Sequence, residues 1–187
     1  MSGVALFFDR DGVLNVNTHY PHLVEDLYLA PTVIETFRLL NCFPEVTCIV
    51  VSNQSGVGKG YFVEKDVLHF ERSLRLRILN ETGYLIDAEH WYHCYSSEKN
   101  HPWRKPNPGM LQQAAHDYNI DLTKSAMFGD SISDIKAGES ANVLNTYMID
   151  YDLDKDLYHG VFDFLYNHTS LSTEAWQKYF NKELNYV

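Results

Sequence analysis

The sequence predicts an α/β fold, a three-layer, doubly wound parallel sheet with no large cap domain. Short apolar runs rich in β-branched and aromatic residues recur along the chain, and segments of helical apolar spacing separate them. The polar residues follow suit, with Asp9, Ser52 and Asp130 each standing where an apolar run ends. In open parallel sheets, ligands bind beyond the carboxyl ends of the strands.

The first run, 4–8 (Val-Ala-Leu-Phe-Phe), is apolar throughout, as a strand covered on both faces must be. Residues 33–40 then space Val33, Phe37 and Leu40 along one helical face. A second strand is expected at 46–51, a helix at 67–79, and a third strand at 91–95. A helix at 110–118, a strand at 126–128, a helix at 132–141 and a strand at 146–149 complete the alternation. Near the end, 172–184 places Trp176, Tyr179, Phe180 and Leu184 along one helical face, a stripe expected to pack against the sheet.

The 187 residues, 45% of them hydrophobic, suit one domain spanning 1–187, with 170–187 as a helical extension packed on it. No repeat, low-complexity tract or Gly/Ser linker argues for a second domain. A net charge of -10 and the lack of a Lys/Arg run speak against nucleic acid as a partner. The apolar start is too short to span a bilayer and is cut off by Asp9, Arg10 and Asp11, so no membrane association is expected. Cys42, Cys48 and Cys94 lack framework spacing and read as reduced structural thiols of a cytoplasmic protein, a monomer or weak oligomer.

Asp9 and Asp11 lie two residues apart at a strand end, so both side chains leave on one side. Gly12 lets the backbone turn tightly beside them. Four polar clusters occur in chain order: Asp9-Arg10-Asp11-Gly12-Val13, then Ser52-Asn53-Gln54-Ser55-Gly56, Arg104-Lys105-Pro106-Asn107-Pro108-Gly109, and Gly129-Asp130-Ser131 with Asp134. In these four motifs the chain resembles the HAD superfamily of phosphotransferases, from about 4 to 149. The details, including Gly60-Tyr61-Phe62 and Met110, are similar to the heptose-bisphosphate phosphatase branch. Ser55 favours that branch, since histidinol-phosphate phosphatases tend to carry Asp there.

The resemblance implies a phosphatase with a HAD-like Rossmannoid fold and Mg²⁺ as cofactor. It makes Asp9 the nucleophile and Asp11 the acid that protonates the leaving oxygen, then the base that activates water. A carboxylate nucleophile splits a slow hydrolysis into two easier steps. Asp9, Asp130 and the backbone carbonyl of Asp11 are the implied metal ligands, with Asp134 a further ligand or an orienting residue behind them. Ser52 and Lys105 would stabilise the phosphoryl group, with Asn53 and Gln54 nearby in the binding site. Arg104 offers a planar fork for a sugar phosphate and Lys59 a point charge for a second phosphate. His19 and His22 read as loop histidines of the 15–22 segment, one of three loops, with 54–61 and 96–104, expected to choose the substrate.

Many relatives hold a structural zinc just before the Arg-Lys-Pro motif, on a Cys-x-His pair and a later Cys-x-Cys pair. Here only Cys94 matches a ligand position, and His101 would have to replace another. Structural zinc normally takes four N or S ligands, so a shorter, metal-free loop packed by Trp103 is expected. Two alternatives to a heptose-bisphosphate phosphatase remain open: a histidinol-phosphate or other small-metabolite phosphatase, and a non-catalytic phosphosugar-binding protein.

Overall fold

The structure, a computed structural model, describes residues 3–153, 155–168 and 173–184. In chain order it runs β1 (Val4–Phe8), α1 (Val33–Leu40), β2 (Val46–Asn53), a single turn α2 (Ser55–Gly58), α3 (Glu64–Thr82) and β3 (Trp91–Cys94). There follow α4 (Gly109–Asp117), β4 (Ala126–Gly129), α5 (Ile132–Ser140), β5 (Asn145–Met148), α6 (Leu157–His168) and α7 (Thr173–Leu184). The strands form one sheet in the order β3-β2-β1-β4-β5, and every pairing is parallel. The chain winds from β1 outward to β3, then crosses back to β4 on the other side of β1. The strand order therefore reverses at β1, and the crevice there opens at the ends of β1, β2 and β4.

The two faces of β1 enter two cores. Leu6 and Phe8 pack with Cys48, Val50 and Phe128 under α1, α3 and α6, while Ala5 and Phe7 pack with Ile49, Val51 and Met127 under α4 and α5. All four β1 side chains from Ala5 to Phe8 are fully buried. Burial of each Phe contributes about 1.5–3 kcal/mol, which fixes the strand and hence the position of the residue that follows it, Asp9. No cap domain interrupts the described residues.

Several boundaries differ from the sequence expectations for local reasons. β2 runs on to Asn53, because Asn53 still pairs with Cys94 of β3, so Ser52 lies inside the strand rather than just beyond it. α3 starts at Glu64, since the Asp66 carboxylate accepts the Val63 N–H (3.0 Å) and holds the helix entry. It stops at Gly83, whose φ of 78° is a left-handed helix stop. α6 was not anticipated; it buries Leu157, Val161, Phe164 and Leu165 over the sheet. The aromatic stripe of α7 packs against α6 and the turn at Phe43, one layer out from the sheet itself. The Trp176 ring lies 4.8 Å from Phe43 and 5.4 Å from Phe162, and the Tyr158 and Tyr179 hydroxyls pair. Ser172 and the side chain of Leu184 lie outside the described residues, as does part of the expected 170–187 extension. No helix among the described residues is long and apolar enough to cross a membrane, and Cys42, Cys48 and Cys94 are free and buried.

Candidate active site

At the reversal point a cavity of about 300 Å³ is lined by Asp9, Asp11, Ser52, Asn53, Gln54, Lys105, Asp130 and Asp134. β1 delivers Asp9, whose backbone N–H is held by Phe128 O of β4 (2.9 Å). Beyond it the N–H groups of Leu14 and Asn15 both reach back to Arg10 O, folding the chain into a tight turn. Gly12 sits in that turn at φ 89°, and a Cβ there would lie 1.8 Å from Asp130 Oδ2. Gly12→Ala is therefore expected to lower stability by about 1–2 kcal/mol through backbone strain alone and to displace Asp130. A urea midpoint equal to that of the unaltered chain would show that the turn relaxes.

Lys105 is the electrostatic centre of the site. Its Nζ lies 2.8 Å from Asp9 Oδ1 and 2.6 Å from Asp134 Oδ1, and it donates to Val51 O at 2.8 Å. An ammonium has three N–H groups, so all are engaged. Burial works to lower the Lys105 pKa, but the Asp9 and Asp134 carboxylates outweigh it and hold the amine above its ordinary value. Burial pushes the Asp9 carboxyl up to about 8, with Lys105 opposing the rise and Asp134 adding to it. Partial burial, then the negative charge of Asp134, raises Asp130 to about 6.

Asp134 is fully buried and doubly employed. Its Oδ2 accepts the backbone N–H (3.0 Å) and hydroxyl (2.6 Å) of Ser131 at the start of α5, which leaves Oδ1 for Lys105. Asp9, Asp130 and Asp134 each bring one carboxylate oxygen within 4.8 Å of the others. Like charges so close repel, and of the three carboxylates Lys105 contacts only those of Asp9 and Asp134. The all-oxygen donor set and the unneutralised Asp130 fit a hard divalent cation such as Mg²⁺.

The remaining residues named from the sequence divide. Ser52 is buried, and its Oγ accepts from Gln54 Nε2 (2.8 Å). Gln54 Nε2 also donates to Asp11 Oδ2 (2.9 Å). Asn53 lines the cavity, but both ends of its amide are spent on the Lys105 backbone, donating to its carbonyl and accepting from its N–H (3.1 Å each). Its side chain thus sets the position of Lys105. Arg104 and Lys59 are not among the lining residues. Arg104 Nη1 donates to Ser96 O (3.0 Å), and Lys59 Nζ to the hydroxyl of Tyr20 (2.6 Å), a residue that does line the cavity. That bond holds the Tyr20 phenol below its usual range. His19 lines the cavity, whereas His22 stacks on Phe62 at 4.4 Å. Asn17 of the 15–22 loop and Ser131 of the fourth motif complete the lining with Ser133, which no motif marked.

In the 96–104 loop, Cys94 Sγ and His101 Nδ1 are 3.5 Å apart, and the same Nδ1 accepts the Trp103 N–H (3.2 Å). Asn107 Nδ2 donates to His101 O (2.9 Å), and Trp103 packs on Tyr92 at 6.0 Å. This pair offers two donors where structural zinc takes four.

A parallel sheet with an aspartate beyond its central strand, a buried lysine and an acidic helix start defines the class of HAD-type hydrolases, and residues 102–149 match the HAD-hydrolase-like family model. The chain is 34% identical to a D-glycero-beta-D-manno-heptose-1,7-bisphosphate 7-phosphatase of Helicobacter pylori strain J99, over 78% of this chain and 82% of that one. It is 36% identical to the alpha-anomer enzyme of Burkholderia mallei, over 80% and 81%. The chain belongs to the heptose-bisphosphate phosphatase family. Among solved structures, a putative HAD-like phosphatase from Mesorhizobium loti superposes with a TM-score of 0.74 at 26% identity, covering 88% of this chain and 85% of that one. The D,D-heptose 1,7-bisphosphate phosphatase of B. bronchiseptica, complexed with magnesium and phosphate, shares the fold at 21% identity, with a TM-score of 0.71 over 91% and 89% of the two chains.

Proposed function

We propose that this protein is a Mg²⁺-dependent phosphomonoesterase that removes the 7-phosphate of D-glycero-D-manno-heptose 1,7-bisphosphate through an aspartyl-phosphate at Asp9. The observation that carries the reading is the Asp9–Lys105–Asp134 bridge beside Asp11, at the strand-order reversal of a chain whose relatives bear that name.

Asp9 attacks phosphorus and the bond to the sugar oxygen breaks. Asp11 gives that oxygen its proton, then takes one from the water that attacks the aspartyl-phosphate, so one carboxyl serves as acid and base in turn. Phosphate leaves and Asp9 is restored. Ser52 supplies a hydroxyl to the phosphoryl oxygens. Lys105 acts through its charge, a hydrogen-bond length from the attacking carboxylate. Asp9, Asp130 and the Asp11 carbonyl would hold Mg²⁺, with Asp134 behind them fixing Lys105; the metal, when bound, supplies positive charge that offsets repulsion between carboxylate and phosphate.

The charge around the cavity supports a direction for the substrate. A neighbouring cavity of about 480 Å³ shares Asn17 and Asp130 and adds Asp150 and Asp152, an acidic wall that repels a second phosphate. Tyr20 lines the main cavity and bonds Lys59, with Arg104 close enough to act on the Tyr20 phenol, and this cationic group favours the phosphate not undergoing hydrolysis. The reading makes the protein a cytoplasmic enzyme acting on a small sugar phosphate, as a monomer or weak oligomer. The test is phosphate release from the heptose bisphosphate, histidinol phosphate and a general ester panel, each with Mg²⁺ and with EDTA. Preference for the heptose bisphosphate, abolished by EDTA and restored by Mg²⁺, is the expected result. Metal-dependent preference for another ester would replace the substrate, and full activity in EDTA would overturn the metal role.

A further inference from the structure

One buried charge has no part in the mechanism above. Arg10 is fully buried and, among the described residues, is the largest side chain so enclosed. Successive residues of an extended strand point to opposite faces, so Arg10 meets its neighbour Asp11 only because the chain folds back on Arg10 O. There Arg10 Nε donates to Asp11 Oδ1 (2.8 Å) and Nη2 to Oδ2 (2.9 Å), the two-pronged grip that fits guanidinium to carboxylate. Nη2 also donates to Pro21 O (2.7 Å), and the guanidinium lies over the Phe70 ring of α3, 4.6 Å from its centre. The group is thus held by the 15–22 loop, by α3 and by Asp11 together.

Asp11 receives two further donors, Asn15 Nδ2 on Oδ1 (3.0 Å) and Gln54 Nε2 on Oδ2 (2.9 Å). A carboxylate presents about four lone-pair sites, so all are occupied, and a sugar oxygen or a water must displace one donor to exchange a proton with Asp11. Arg10 and Asn15 are sealed from solvent, whereas Gln54 lines the cavity.

We propose that Arg10 is the positioning residue for Asp11: it fixes the rotation of the carboxylate, so that the donor yielding to substrate is Gln54, on the cavity side. This rests on the acid–base role given to Asp11 under the proposed function. Arg10 never touches substrate; it acts through Asp11 alone. Arg10→Gln removes the grip and the charge, whereas Arg10→Lys keeps the charge on a single point donor.

The experiment measures steady-state and burst kinetics of Arg10→Gln and Arg10→Lys on the heptose bisphosphate and on 4-nitrophenyl phosphate, whose leaving group needs no proton. On the sugar ester kcat should fall about 10²-fold or more, with KM nearly unchanged and the Lys variant intermediate. On 4-nitrophenyl phosphate the first transfer should survive, giving a burst of about one 4-nitrophenolate per active site before slow turnover. Equal losses on both esters without a burst, or full kcat on the sugar ester, would overturn the proposal. Should the Gln variant fail to fold, Phe70→Leu removes the ring beneath Arg10 and should give the same ester-dependent pattern in weaker form; a uniform loss there also counts against it. The unaltered chain and Asp9→Asn, run alongside, separate the two readings. An inactive unaltered chain ends the phosphatase reading and the inference with it, while an active, Asp9-dependent one with normal Arg10 variants ends the inference alone.

Discussion

Asp9→Asn is expected to lower kcat on any phosphate ester by about 10⁴-fold or more while leaving the protein folded. The substitution keeps the shape of the side chain and removes only its nucleophilic charge. Lys105 retains Asp134 and Val51 O as partners, so its buried ammonium is not stranded. Burial already disfavours the charged form of Asp9, and Asp134 disfavours it further. The melting temperature should accordingly hold or rise slightly. Rates within tenfold of the unaltered chain, measured with the same metal supply, would remove Asp9 from the reaction.

Lys105→Met should damage both folding and catalysis. A methionine fills similar space but leaves Asp134, fully buried, and Asp9 without the cation between them. Breaking a buried pair by removing one partner typically costs about 3–5 kcal/mol. Loss of a positive charge beside the transferring group should lower kcat by about 10²–10³-fold as well. Urea unfolding of the metal-free protein isolates the first effect. Unchanged stability there would mean that the two carboxylates do not depend on Lys105, and the electrostatic account of the site would fail with it.

The centre of the sheet was legible because β1, β2 and β4 are largely apolar runs buried on both faces, and such runs end abruptly at polar residues. Asp9 and Asp130 were legible for the same reason, since they terminate β1 and β4 directly. α6 was less visible because Val161, Phe162, Phe164, Leu165 and Tyr166 crowd its later half and mask the helical period. What escaped reading at the site was the division of labour among polar side chains. Asn53 and Lys105, 52 positions apart, are joined through amide and backbone, and no local pattern encodes that pairing. Arg10 stood in plain view inside the first motif, but a charge next to two aspartates reads as surface until the turn at Gly12 is known to bury it. Arg104 and Lys59 were placed by charge, whereas their contacts with Ser96 O and Tyr20 follow from loop paths that the sequence leaves open.

The central claim is that the phosphoryl group passes through Asp9. On the proposed mechanism Asp11→Asn removes the acid for a sugar leaving group and the base that activates water for the second step, while leaving the nucleophile in place. The direct measurement is the intact mass of this variant after mixing with 4-nitrophenyl phosphate, whose leaving group needs no proton, and Mg²⁺, followed by peptide mapping. The account predicts a gain of one phosphoryl group per chain, located on Asp9 and absent from Asp9→Asn. Phosphate release by the unaltered chain with no adduct in the Asp11 variant, or an adduct on any other residue, would contradict it.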